Sequence, residues 1–181
     1  MVRELALSAR IPATTVADAA AGDAEALARI VGAHHDDMAR IAYVICGNAD
    51  LAQDAVQSAW PIAWRRLGSL REPERLRPWL MAVAANQART LLRQRRRRQV
   101  VEIDVVARDS AYPDPAADTD LADLAIVLRR LAPEDRALLA FRFVAGFDAT
   151  EIGRAIGISP SGVRSRLARL LARLREELDH G

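Results

Sequence analysis

The chain has 181 residues, 51% of them apolar and 4% aromatic, so its length suits one ordinary domain or two small ones with a buried core. A single cysteine, Cys46, excludes an intrachain disulfide framework and a cysteine-rich metal site. No stretch has the length and apolar character of a signal peptide or a membrane span, so we expect a cytoplasmic protein without membrane insertion.

The charge is unevenly distributed. All 26 basic residues are arginines: residues 1–99 hold 15 of them against 10 acidic residues, residues 100–120 hold one against six, and residues 121–181 hold ten against eight. Two basic ends therefore flank an acidic middle. Basic clusters of this kind suit a polyanion such as nucleic acid, and the alternative is a solvated charged surface.

The abundance of alanine, leucine and arginine predicts an all-α protein. From 16 to 46 the apolar positions recur at helical spacing, which predicts two helices or one bent helix with possible breaks at Gly22 and Gly32. The next helix contains Pro61, which lacks an N–H donor and predicts a kink or a break. Pro73 then opens a long helix that ends in the run RQRRRR.

This long helix has two predicted faces. An apolar face should pack on the core, and an opposite face of small residues, one amide and arginines should be exposed. The predicted core face is Leu76, Trp79, Leu80, Val83 and Leu91, and the predicted exposed face is Ala82, Ala85, Asn86, Arg89 and Arg93.

The run HHDD, His34 to Asp37, is the one candidate for a metal site. Adjacent helical residues point about 100° apart, so only pairs such as His34 and Asp37 could converge, and the sequence places no third ligand. We interpret the run as a polar helix face and expect neither metal nor cofactor. Since no glycine-rich phosphate loop, nucleophile elbow or paired-carboxylate motif occurs either, we do not expect an enzyme.

From 99 to 120 the helical periodicity fails, while Pro113, Pro115 and acidic residues accumulate. This composition predicts a flexible acidic linker, although the segment VVEIDVV could form a short strand. A second small helical domain is predicted from Leu121 onward. Only three residues follow Leu178, so we expect no appended C-terminal regulatory domain.

The second domain contains local signals for two helices joined by a tight turn. Asp148 and Glu151 fit a capping box, with the helix beginning at Ala149. Gly157 suits the left-handed residue that ends it, and Ser159 followed by proline suits the start of the next helix. The pattern predicts a helix-turn-helix, in which Gly153 is small enough for the helices to cross closely.

The second of these helices is amphipathic. Its predicted buried face begins at Val163 and continues through leucines, while small residues and arginines share the outer face. Small residues permit close approach and arginines fork onto guanine edges or phosphates, so the surface is typical of a DNA reader, the alternative being a solvated arginine face. The predicted leucines are Leu167, Leu170, Leu171, Leu174 and Leu178, and the outward residues are Arg164, Ser165, Arg166, Ala168, Arg169 and Ala172.

Taken in order, three segments resemble bacterial RNA polymerase sigma factors of the sigma-70 family, specifically the extracytoplasmic-function (ECF) group that keeps regions two and four. Residues 51–64 are similar to the part that docks on the polymerase clamp, and residues 78–98 to the part that melts the minus-ten element. Residues 131–175 are similar to region four, which reads the minus-thirty-five element. The resemblance implies an N-terminal extension over 1–15, region two over 16–98, the linker over 99–120 and region four over 121–181.

Carried over by position, the resemblance assigns roles to individual residues. It implies binding to core RNA polymerase and promoter DNA and no catalytic residue, and it makes an anti-sigma factor a candidate for a further partner. The loop over 68–72 would hold an extruded base. The residues implied are Asp54 and Gln57 for polymerase, Ser69, Arg71, Asn86, Arg89 and Arg93 for the minus-ten element, and Ser161, Arg164, Ser165, Arg166 and Arg169 for the minus-thirty-five element.

The chain departs from the family pattern at a few positions. Gln53 and Ser58 stand where the clamp face is usually acidic, and Thr90 stands where aspartate is usual. Pro61 and the pair Ser161-Gly162 are further departures. The alternative function is a helix-turn-helix regulator that binds operator DNA without polymerase, its N-terminal helices serving as a sensor or dimerisation module.

Overall fold

The computed structural model describes residues 11–101, 128 and 130–179, and these contain helices and turns but no strand. The first part comprises α1 (Ala13–Ala20), α2 (Ala24–Cys46), α3 (Ala49–Leu67) and α4 (Leu76–Val101), with one 3₁₀ turn (Pro73–Arg75) leading into α4. The second part comprises α5 (Pro133–Leu139), a π-helical turn (Ala140–Val144), α6 (Ala149–Ile156) and α7 (Pro160–Asp179). The prediction of an all-α protein is confirmed. Most of the predicted linker, including residues 102–106 of VVEIDVV, lies outside the described residues.

Of the two glycines at which a helix break was predicted, only Gly22 separates two helices. Gly22 has φ 104°, in the left-handed region that glycine tolerates, and it separates α1 from α2. Gly32 lies inside α2, which begins where the Asp23 carboxylate accepts a hydrogen bond from the Ala26 N–H at 2.9 Å. The segment from 16 to 46 therefore forms two helices.

The sequence predicts a kink or a break at Pro61, and helix α3 continues through this residue, so it does not break there. Pro61 is exposed, and the residues that anchor the helix lie on its other side, where Ala59, Ala63 and Leu67 are buried. The N–H that proline lacks is therefore missing from the solvent side, and packing of the apolar side keeps the helix in place.

Helices α2, α3 and α4 pack on one another in the first part, and small side chains allow their close approach. On α4 the buried arc is wider than predicted, because both α2 and α3 cover it. Ala85 is fully buried with Ala84 and Ala88, so its predicted place on the exposed face is wrong.

The second part forms the predicted helix-turn-helix. The Asp148 carboxylate accepts the Thr150 and Glu151 N–H groups at 2.7 and 2.8 Å, while Glu151 accepts the Asp148 N–H at 2.9 Å, which completes the capping box. Gly157 ends α6 with φ 78°. Val163 is fully buried, and it fixes the start of α7 against the rest of the domain.

Gly153 has a different neighbour from the one predicted. A Cβ atom on it would lie 2.5 Å from the backbone oxygen of Ile158 and 3.5 Å from the nitrogen of Pro160. The glycine therefore makes room for the backbone of the turn between α6 and α7. Because the glycine has no side chain, α7 can leave this turn close to α6.

The two parts pack together and their buried residues form one hydrophobic cluster. Helix α2 contacts α5 and the π-helical turn, and α4 contacts α5 and α6. In the described ranges no helix is both long and apolar enough to cross a membrane.

Candidate nucleic-acid interface

The outer face of α7 carries four of the five residues implied for the minus-thirty-five element. Arg164, Ser165 and Arg169 are exposed, and the Arg169 guanidinium turns back towards the Ser165 carbonyl, with Nε 3.5 Å from its oxygen. Arg166 is half-buried, because its Nε and Nη2 lie 2.9 and 2.8 Å from the Asp135 carboxylate of α5. Arg166 thus joins α7 to α5, whereas Arg164 and Arg169 are exposed and make no contact with α5 among the described hydrogen bonds and ion pairs.

The first turn of α7 is held by serines. The Ser159 hydroxyl accepts the Gly162 N–H at 3.1 Å and lies 3.0 Å from the Ser161 hydroxyl. This confirms Ser159 as the capping residue of α7. Ser161 is exposed in the first turn of α7, where the helix dipole favours an anionic group.

The exposed stripe of α4 forms a ladder of side chains. Arg89 donates a hydrogen bond to the Asn86 side-chain oxygen, the Thr90 hydroxyl donates to the Asn86 carbonyl at 2.8 Å, and Arg93 donates to the Thr90 hydroxyl at 3.2 Å. These contacts hold two guanidinium groups along one line of the helix. Thr90, which departs from the family pattern, joins Arg93 to Asn86, whose side chain in turn accepts from Arg89.

Arg89 lies in a mixed electrostatic environment. Burial lowers the pKa of its guanidinium, Glu134 of α5 opposes that shift, and Arg93 and Arg166 add to it. The electrostatic surroundings of Arg89 thus include Arg93 of its own helix, Arg166 of α7 and Glu134 in the acidic first turn of α5.

The loop between α3 and α4 presents Ser69 and Arg71 to solvent. The Ser69 hydroxyl donates to the Arg66 carbonyl at 2.6 Å, which closes the end of α3. The loop borders a cavity of about 390 Å³ that also contains Trp79 and, from the second part, Arg154. An aromatic ring beside polar loop atoms is an arrangement on which a single-stranded base can stack.

A second cleft was not predicted from the sequence. It is lined by Arg65 and Arg66 from the end of α3 and by Asn86 and Gln87 from α4. Two arginines beside the Asn86 amide extend the basic surface of α4 onto α3. The excess of arginine in residues 1–99 indicates a basic surface in region two, but it does not indicate which arginines of α3 lie beside α4.

The residues implied for polymerase binding lie on one side of α3. Asp54 and Gln57 are exposed, and so are Gln53 and Ser58, the positions that depart from the acidic family pattern. Their spacing of three to four residues places them on one helical face. Of these four residues only Asp54 carries a carboxylate.

The HHDD run is not an exposed polar face throughout. His34 is buried, and its burial lowers the imidazole pKa, while Asp37 raises it and Arg77 lowers it. Asp37 pairs with Arg40 and Arg77 at 3.0 Å each. Within the described ranges no three histidine, cysteine or carboxylate side chains are grouped as metal ligands.

The fold and these surfaces define a two-part helical protein that couples a helix-turn-helix to a bundle bearing its own arginine stripe. Comparison with family models agrees: residues 30–98 match sigma-70 region 2 and residues 123–174 match sigma-70, region 4. Sequences called ECF RNA polymerase sigma factors are among the relatives.

Individual relatives cover most of the chain. It is 35% identical to the RNA polymerase sigma factor CarQ of Myxococcus xanthus over 72% of this chain and 76% of CarQ. It is 31% identical to the probable RNA polymerase sigma factor RfaY of Xanthomonas campestris over 88% of this chain, but it spans only 42% of RfaY. The structure of CnrH from Cupriavidus metallidurans in complex with the cytosolic domain of CnrY has a TM-score of 0.69 and 26% identity, covering 92% of this chain and 96% of CnrH. The chain therefore belongs to the sigma-70 family of RNA polymerase sigma factors, in the ECF group.

Proposed function

We propose that this chain binds core RNA polymerase and directs it to promoters by reading the minus-thirty-five element with α7 and opening the minus-ten element with region two. The observation that carries the proposal is the ordered pair of surfaces: an arginine stripe on α4 and a helix-turn-helix in the same chain. A promoter must be both recognised as duplex and opened, and each task suits one of these surfaces.

The geometry of α7 supports the duplex-reading role. Arg164 and Arg169 are exposed in the first half of α7, where the small residues Ser165, Ala168 and Ala172 share the outer face, so the helix backbone can approach the major groove closely there. A guanidinium fork matches the two acceptors of guanine, and each such pair contributes about 1–3 kcal/mol of discrimination.

The geometry of α4 and its preceding loop supports the opening role. Asn86 and Arg89 provide an amide and a guanidinium, and Trp79 lies beside the loop that contains Ser69 and Arg71. Such groups bind the backbone and the faces of unpaired bases.

The proposed partners are core polymerase, on the α3 face of Asp54 and Gln57, and promoter DNA. CnrH was solved with the cytosolic domain of CnrY bound, and we include a protein of this kind, an anti-sigma factor, among the proposed partners. The acidic linker would pass through a channel of polymerase that otherwise takes nucleic acid.

The competing function, a regulator that binds operators without polymerase, requires only the helix-turn-helix. The match of residues 30–98 to sigma-70 region 2 favours the polymerase subunit, since a sensor module would have no need of that sequence.

A run-off transcription assay with core enzyme and candidate promoter fragments tests the proposal. The wild-type chain should give transcripts only when polymerase is present, whereas a simple regulator would bind duplex operator equally well alone. Absence of a transcript from every candidate promoter would contradict the proposal.

The division of labour is tested in the same assay with Arg169→Ala and Arg89→Ala. We expect Arg169→Ala to reduce recruitment about tenfold on duplex and pre-melted templates alike, since one fork contact is lost. Arg89→Ala should be impaired on duplex templates and rescued by pre-melted ones. Arg29→Ala, an exposed arginine of α2, is the control for loss of one charge; equal rescue of both test variants would refute the assignment.

A further inference from the structure

A basic cleft lies between the end of α3 and the middle of α4, and the family resemblance assigns no role to its α3 residues. Its volume is about 360 Å³, which is within the range of ligand-binding clefts. Arg65 and Arg66 line it from α3, and both are exposed. The other lining residues are Ile62 of α3 and Val83, Asn86 and Gln87 of α4. This α3–α4 cleft therefore combines two cations, two amides and two apolar side chains.

The two cleft arginines differ from other arginines of region two in their partners. Three arginines elsewhere in region two have a carboxylate oxygen 2.7–3.0 Å away. These are Arg40 and Arg77, which share Asp37, and Arg75, which pairs with Glu72. Among the described residues, no carboxylate lies within ion-pair distance of Arg65 or Arg66. Two neighbouring guanidinium groups without a fixed counter-charge create a positive potential, which attracts an anionic ligand.

The position of the two arginines at the end of α3 explains how the fold tolerates them. Both lie in the last turn of the helix, where the negative end of the helix dipole stabilises cations. The dipole does not occupy the N–H donors, of which each guanidinium has about five. Within the described part of the chain, neither side chain donates a hydrogen bond that the fold uses. These donors are therefore available to a ligand.

Asn86 connects the cleft to the arginine stripe of α4. It lines the cleft, and its side-chain oxygen accepts a hydrogen bond from Arg89. The Thr90 hydroxyl donates to the Asn86 carbonyl at 2.8 Å and accepts from Arg93 at 3.2 Å. The partners of Arg89 and Arg93 in these bonds are neutral, so their charges also remain uncompensated there. One cationic track thus runs from the stripe across Asn86 to the end of α3.

We propose that the α3–α4 cleft binds the phosphate backbone of single-stranded DNA, with Arg65 and Arg66 as the phosphate contacts. A guanidinium fork matches two oxygens of a phosphate. A single strand can turn its phosphates towards α3 and its bases towards the amides of Asn86 and Gln87, whereas a duplex holds its bases paired inside. Naming this strand as the opened minus-ten strand rests on the proposed function; the binding of single-stranded DNA does not.

The cleft would hold the strand without reading its sequence, because phosphate contacts carry no sequence information. It also lies away from the proposed polymerase face. Asp54 precedes Arg65 by 11 residues, which is about 16 Å along the helix. Substitutions in the cleft therefore leave Asp54 and Gln57 untouched.

The test measures the binding of labelled oligo(dT) by fluorescence anisotropy, with the full chain alone and salt varied from about 20 to 200 mM. The variants are Arg65→Ala, Arg66→Ala and the double substitution. Each phosphate contact contributes about 0.7 to the slope of log affinity against log salt concentration for a single strand. Each single substitution should therefore lower the slope by about 0.7 and weaken binding about eightfold at about 50 mM salt. The double substitution should lower the slope by about 1.4.

Two controls separate a phosphate contact from a general loss of charge or structure. Arg29→Ala should keep the wild-type slope, because Arg29 is exposed on α2 and does not line the cleft. The double substitution Arg65→Lys and Arg66→Lys keeps both charges and their interaction with the helix dipole. It should restore the slope but bind more weakly than wild type, because an ammonium group cannot form the fork. Oligo(dA) should show the same changes as oligo(dT).

Several results would overturn the proposal. These are a wild-type slope in the double alanine variant, an equal fall in Arg29→Ala, and no binding of oligo(dT) by the wild-type chain at about 20 mM salt. A loss confined to a duplex of the same length would make the cleft a duplex contact instead. Lower stability in urea with an unchanged slope would leave the arginines a purely structural role at the helix end.

The outcome is independent of transcription, because the assay contains neither polymerase nor promoter. A chain that directs transcription but keeps its slope after both substitutions would refute the cleft alone. A chain that binds oligo(dT) through the cleft but gives no transcript would refute the proposed function alone.

Discussion

Replacing Gly153 by alanine should destabilise region four, because the added methyl group has no space. The Cβ would lie 2.5 Å from the Ile158 oxygen, and the next atoms, Pro160 N at 3.5 Å and Ser159 C at 3.6 Å, also belong to the backbone. A usual carbon–oxygen contact is about 3.3 Å or more, so the turn must move by roughly 0.8 Å. No flexible side chain can absorb this shift.

The magnitude follows from two opposed effects. Overpacking of this kind costs about 1–3 kcal/mol, and alanine regains about 1 kcal/mol of helix propensity over glycine. The shift also strains the bonds from the Gly157 and Ile158 N–H groups to the Gly153 carbonyl, now 2.8 and 3.0 Å. We therefore expect a net loss of about 1–2 kcal/mol in the free energy of unfolding.

The control is the same substitution at Gly32, an exposed position inside α2 where an added Cβ would meet no heavy atom within 4 Å beyond the backbone of its own helix. Gly32→Ala should stabilise the chain by about 0.5–1 kcal/mol, so the two variants should move in opposite directions. Urea unfolding followed by far-ultraviolet circular dichroism measures both. Gly153→Ala as stable as wild type would show that the turn is free to shift, which would refute the steric argument.

Three further predictions concern the same regions. Gly157→Ala should cost about 1–2 kcal/mol, measured in the same unfolding assay, because φ 78° is unfavourable for a residue with a Cβ, and Gly157→Asn should cost less; equal losses would argue against backbone strain. Asp135→Asn should release Arg166 from its ion pair and free it for DNA. For a duplex, the slope of log affinity against log salt concentration, measured by anisotropy, should then steepen by about one. An unchanged slope would mean that the arginine does not reach phosphate. Burial lowers the pKa of His34 below its ordinary value of 6.5, and Asp37 opposes this shift. The neutral His34 side chain therefore contributes its full stability above pH 6.5, and this contribution is lost as the pH falls from 6.5 through the lowered pKa. His34→Gln should therefore lose less stability than wild type between about pH 7.5 and 5.5 in urea titrations, and parallel curves would contradict this.

The helix-turn-helix could be predicted almost residue by residue, because its signals are local. Asp148 bonds backbone groups only two and three residues away, and Gly157 and Ser159 act on the ends of their own helices. Such short-range chemistry depends on little beyond the neighbouring sequence. The partner of Gly153 escaped the same reasoning, since a small residue does not reveal which atoms approach it.

Contacts between distant segments could not be predicted in this way. Arg77 and Ala145 are 68 residues apart, and Arg166 and Asp135 are 31 residues apart. Nothing in either arginine's neighbours along the sequence distinguishes it from the exposed ones. The burial of Ala85 was missed for a similar reason, because the width of a buried arc depends on how many helices cover it.

The first turn of α5 interacts with arginines of both surfaces, and separation of the two regions would affect these interactions differently. Glu134 acts on Arg89 of region two, whereas the adjacent Asp135 is bonded to Arg166 within region four. Separation of the two regions removes the first interaction, because its partners lie on opposite sides of the interface. It leaves the second intact, because α5 and α7 move together. Separation of the two regions would therefore change the electrostatic surroundings of Arg89, whereas Arg166 would keep its ion pair with Asp135.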